Sequence, residues 1–96
     1  MKLPREIREE HRFREQLEAL GIEIEQWDEV FSNGLEPIVV REPELFFQPS
    51  NLTCLRLATI EVYRDMPKLD VLFAFDDDRV YLLDVYMAED NQEEEE

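Results

Sequence analysis

Apolar positions divide the chain into two stretches with different periods. Ile7, Phe13, Leu17 and Leu20 recur close to helical spacing, with Pro4 at the start and Gly21 as a stop, so a first helix is predicted from Pro4 to Leu20. Trp27, Val30, Phe31, Leu35 and Ile38 fall on a second stripe and predict a second helix from about Ile24. Ser32-Asn33-Gly34 is a turn signal and Pro37 cannot donate inside a helix, so this helix either kinks or yields to a short new one near Leu35. Residues 41–51 contain Pro43 and Pro49 and show no clean period; they read as a connector packing Phe46 and Phe47 onto the core.

From Leu52 the pattern is extended. A strand is expected across Leu52–Ile60, then a polar loop to Lys68, then a strand at Leu69–Phe75. In that second strand Leu69, Val71, Phe73 and Phe75 form one apolar face, while Asp70, Leu72, Ala74 and Asp76 form the other. Asp76-Asp77-Asp78-Arg79 turns the chain into a closing strand, Val80–Met87. Both faces of the hairpin are substantially apolar, which predicts helices on one side and a partner over part of the other. The element order gives an α+β fold, two N-terminal helices packed on a three-stranded antiparallel sheet. Residues 1–88 form one domain, and the like-charge tail 89–96 is expected to be disordered.

Composition narrows the function classes. The chain has 25 acidic and 10 basic residues, a net charge of -15, and residues 21–96 carry 20 of the acids against 5 basic residues. Such a field repels phosphates, so direct nucleic-acid binding is not expected. No apolar run approaches a membrane span, and the opening Met1–Glu6 runs straight into charged residues, so a cytoplasmic protein without membrane association is expected. The single cysteine, Cys54, reads as core, and His11, the single histidine, reads as a boundary residue of the first helix. Gly21 and Gly34 alone exclude a glycine-rich phosphate loop. Asp76, Asp77 and Asp78, with Asp84, Glu89 and Asp90, offer oxygen ligands but match no calcium-loop spacing, so neither a metal nor a cofactor is expected.

Leu55-Arg56-Leu57, followed by the run from Leu69 through Asp76-Asp77-Asp78-Arg79 to Leu83, resembles the C-terminal sheet of RelE/ParE and HigB-like toxins of type II toxin–antitoxin systems. The resemblance covers about residues 52–87, with two helices ahead of it in the expected order. It implies an RNA-cleaving or target-binding toxin partnered by an antitoxin-like peptide. Several family features are missing: Asp70 stands where the second-strand arginine would fall, Ala88 where a basic residue would follow the closing strand, and Glu89–Glu96 where a further helix often lies. The strand that precedes the first helix in the family also finds no counterpart in the pattern. Only Arg56 matches a basic position, with Arg64 and Lys68 as unaligned candidates for catalysis. Ribonuclease chemistry needs cations to neutralise phosphate charge, so it is not expected.

Binding residues are therefore sought among the strands. Asp70 and Asp84 interrupt strands whose neighbouring positions are apolar, and a buried unpaired carboxylate is costly, so both are expected on the exposed face with Arg56 near enough to pair with one. Tyr63, Tyr81 and Tyr86, with Met66 and Met87, either complete a thin core or decorate a binding face. A toxin-like protein acting by protein binding is one reading; an acidic, non-enzymatic binding protein that mimics nucleic-acid charge and occupies a basic site on a partner is the other. A third attributes the acidity to a salt-adapted proteome.

Overall fold

The structure is a computed structural model that describes residues 4–61 and 67–88. Its order is β1 (Glu6–Glu9), α1 (His11–Ala19), α2 (Ile24–Val30), a π-helical turn (Phe31–Leu35), α3 (Glu36–Val39), a 3-10 turn (Pro43–Leu45), β2 (Leu55–Ile60), β3 (Leu69–Phe75) and β4 (Arg79–Met87). Helices and sheet segregate as an α+β fold. The sheet has four strands in the order β1-β4-β3-β2, not the three expected, and is mixed: β1 runs parallel to β4 while the other pairs are antiparallel.

The extra strand comes from the segment expected to begin the first helix. Ile7 precedes Phe13 by six positions and fits the helical stripe poorly, whereas the outer edge of β4 offers unpaired backbone groups. Glu6 N–H donates to Asp78 O at 2.9 Å and Glu10 N–H to Leu82 O at 3.0 Å, which ties this stretch to β4. Only then does α1 start, from an extended Glu10, so His11 is the first helical residue and lies at the boundary of the helix. Arg14 pairs with Glu9 rather than with Glu10 or Glu18 along the helix. Gly21, at φ 77°, closes α1 in the left-handed region, where a side chain would be strained.

Trp27, Phe31, Leu35 and Val39 are the buried positions of the second helical stretch, each four residues apart. An uninterrupted α-helix would rotate such a series by about 120° over its length. The π turn at Phe31–Leu35 takes up the extra residue and keeps all four on the core side. Ile38, expected on that stripe, is instead 44% exposed, and Val30 is half-buried. Pro37 is accommodated in the first turn of α3, where no intrahelical donor is needed.

These side chains join Phe13 and Leu17 of α1 over one face of the sheet, against Ala58, Ile60, Leu69, Val71, Phe73, Val80, Leu82 and Val85. Each such burial of a valine, leucine, isoleucine or phenylalanine side chain contributes about 1.5–3 kcal/mol. Trp27 stacks on Phe31 with centroids 5.0 Å apart and meets the edge of Phe13 at 5.1 Å. Its buried indole Nε1 has no acceptor among the described residues. Cys54, expected in the core, is exposed, because β2 starts only at Leu55; its carbonyl accepts the Phe75 N–H. Phe46 packs edge-on against Phe73 at 5.6 Å, but Phe47 points away and is 66% exposed.

Candidate functional site

The strand register decides which side chains share the sheet face away from the helices. Asp70 lies opposite Thr59 on β2 and Tyr86 on β4, forming one transverse row. Leu72 lies opposite Leu57 and Asp84, and Leu57 is bridged in turn by Phe47, forming a second row. Leu55, Ala74, Tyr81 and Arg8 form a third. No helix among the described residues covers this face. Phe47 and Tyr86 are exposed, and Leu55, Leu57, Leu72 and Tyr81 are half-exposed.

A bulge brings the acids of this face together with Tyr86. The register shifts between Leu72 and Phe73, so β4 carries the extra residue Leu83 between Leu82 and Asp84. Asp84 Oδ1 accepts the Val85 N–H at 2.9 Å, and its Oδ2 accepts Arg12 Nε–H at 3.0 Å. Asp70 Oδ1 accepts the Thr59 hydroxyl at 2.7 Å. Burial raises the Tyr86 phenol above its ordinary value, and the negative charges of Asp70 and Asp84 push the same way. Three of the four binding candidates thus converge. Tyr81 shares the face but not the cluster: its hydroxyl donates to Asp76 Oδ2 at 3.1 Å.

Arg56 and Lys68, the described candidates for catalysis, do not converge. Arg56 was expected beside Asp70 or Asp84, but the register sets it opposite Phe73, on the helix side of the sheet. There its guanidinium donates to the carbonyls of Thr53, Glu44 and Phe46 and lies 5.7 Å from the Phe75 ring centre, latching the connector onto the core. Lys68 stands at the opposite end of β3, beside Ala88, whose N–H donates to its carbonyl. Five residue steps, about 17 Å along the sheet, separate the two cations. Arg64, Tyr63 and Met66 lie outside the described residues, as does the tail 89–96.

Asp76 organises the hairpin turn. Its Oδ1 accepts the N–H groups of Asp78 and Arg79, both at 2.8 Å, and these bonds with the Tyr81 hydroxyl hold its carboxyl below the usual value. Among the described residues no three His, Cys, Asp or Glu side chains are grouped to hold a metal ion, and no helix is long and apolar enough to cross a membrane. Among the described residues, neither the exposed Cys54 nor His11, which pairs with Glu15 at 3.1 Å, belongs to a nucleophile–base arrangement. Sequence reasoning missed Arg12, Leu57 and Phe47 as parts of this surface; only Leu72 carried a signal, as an apolar residue between Asp70 and Ala74. Comparison with protein-family models, curated proteins and solved structures gives no significant match.

Proposed function

We propose that the chain is a toxin-like protein of the RelE/ParE superfamily that lacks the family's ribonuclease residues and acts by binding another protein through the open face of its sheet. The observation that carries this reading is the apolar row of Phe47, Leu57 and Leu72 beside Asp70 and Tyr86, left uncovered by the helices. Mixed apolar and aromatic surface with a polar border suits protein recognition. Strand β1 supports the scaffold, since a strand ahead of the first helix is what the resemblance implies and the hydrophobic pattern had not supplied. Arg56, the one matched basic position, donates to the backbone carbonyls of Thr53, Glu44 and Phe46, which supports a structural role for it over a phosphate-neutralising one.

Expression in a bacterial host tests the reading. Growth arrest without RNA cleavage, abolished by the double variant Leu57→Ser, Leu72→Ser, is the expected outcome. Unimpaired growth at high expression would count against toxin-like action, and RNA cleavage against a non-enzymatic one. A second reading, an acidic protein that mimics nucleic-acid charge in a partner's basic site, is favoured by the 20 acids against 5 basic residues of 21–96. It predicts binding that falls steeply with salt and is indifferent to those two serines.

A further inference from the structure

Resting on the protein-binding reading, we infer that the occupant of the open face is a protein segment carrying arginine or lysine among apolar residues, with its cation seated between the Asp70 carboxylate and the Tyr86 ring. The unequal partnering of the two acids points to that position. Asp84 is already served by Arg12 and the Val85 N–H, whereas the sole partner of Asp70 among the described residues is the Thr59 hydroxyl, which reaches one carboxylate oxygen. Asp70 is half-buried between Leu72 and the cross-strand Tyr86, so a partner laid on the apolar row would remove more water from it. A carboxylate desolvated in this way needs an opposite charge.

Charge complementarity selects among occupants. A second copy of the chain would set one net charge of -15 against another and bring further acids to this face, and nucleic acid would be repelled for the same reason. A neutral apolar segment would cover Asp70 without pairing it. A cation there gains the carboxylate and the face of a tyrosine that burial, Asp70 and Asp84 all hold in its neutral form. Flanking apolar side chains of the segment then rest on Leu72, Leu57 and the exposed Phe47, the direction in which the row runs.

The test uses the full chain and synthetic peptides in which leucine alternates with arginine, lysine, serine or glutamate, followed by amide chemical shifts. The arginine and lysine peptides are expected to bind and to shift Thr59, Asp70, Leu72 and Tyr86. Asp70→Asn, which can still accept the Thr59 hydroxyl, is expected to weaken them about tenfold. Asp77→Asn, the same change of charge on the exposed hairpin turn, is expected to weaken them less than about twofold. Equal weakening by both variants would overturn the inference, because net charge alone would then explain the binding. Binding of the serine or glutamate peptide as tightly, with shifts on the same face, would overturn the cationic partner and leave the face as a binding surface. No shift on the face with any peptide would overturn both.

Discussion

Arg5 is buried although it is charged, and its surroundings account for that. Its Nε–H donates to Asp76 O at 2.6 Å and an Nη1–H to Val40 O at 3.4 Å, while the guanidinium lies 5.4 Å from the Phe75 ring centre and 3.9 Å from the Glu44 carboxylate. One side chain thereby joins the N-terminal segment to the hairpin turn, the end of α3 and the 3-10 turn. Arg5→Met keeps much of the apolar stem but strips these carbonyls of their donor, and is expected to cost about 2 kcal/mol in urea unfolding, with Arg5→Lys recovering only part. Asp76 makes a pH prediction. Its carboxyl titrates below its ordinary 3.8 in the fold, so its stabilisation is complete above that value and is lost as the pH falls below it. Asp76→Asn should therefore lower stability at neutral pH and flatten the acid limb below about pH 4, as read by unfolding midpoints across pH. A variant with an unchanged acid limb would show that other groups set it.

At the scale of elements, the mismatch between β1 and β4 exposes an edge. β1 pairs only with Arg79–Leu82 of β4, a nine-residue strand, so among the described residues the rest of that edge lacks a neighbouring strand. Asp84 compensates by accepting the Val85 N–H, and Arg12 anchors the carboxylate from α1. Asp84→Ala is expected to speed hydrogen exchange at Val85 and to cost about 1 kcal/mol, whereas Arg12→Ala should leave that amide protected and cost at most about 0.5 kcal/mol. Equal loss of protection in the two variants would assign the edge to the ion pair instead. The same contrast explains what the sequence could reveal. Strand β3 was legible because its alternation lies within its own seven residues, and that alternation also placed Asp70 on the outer face. β1 was not, since Glu6 pairs with the distant Arg79 and four residues hold too little pattern to outweigh a neighbouring helix. The stripe ending at Val39 was misread as ending at Ile38 because only the π turn brings Val39 into phase. Arg56 was misassigned for a further reason: its partners are backbone carbonyls, which side-chain identity does not advertise.

For the whole molecule, charge acts on folding and on recognition with opposite signs. The chain carries a net -15 and its fold has a radius of gyration of 13.6 Å, so at about 0.1 M salt, where the screening length is about 10 Å, most acids of the described residues feel one another. That repulsion opposes the compact state, while the surface pairs that salt would weaken, such as Arg79–Glu6 at 3.3 Å and Arg12–Asp84 at 3.0 Å, contribute little. Raising sodium chloride from about 0.05 M to about 1 M shortens the screening length to about 3 Å and should stabilise the fold by on the order of 1 kcal/mol. For a domain of this size that is about 5 °C in thermal midpoint. Over the same range the affinity for an arginine–leucine peptide should fall, because its cation–Asp70 contact is screened, but it should level off above zero, because the Phe47–Leu57–Leu72 row contributes by apolar burial that salt does not screen. Thermal midpoints and peptide affinities measured in one salt series separate the two effects. A midpoint that falls with salt would mean that ion pairs outweigh repulsion in this fold. An affinity that vanishes at high salt would mean that charge, and not the apolar row, carries recognition.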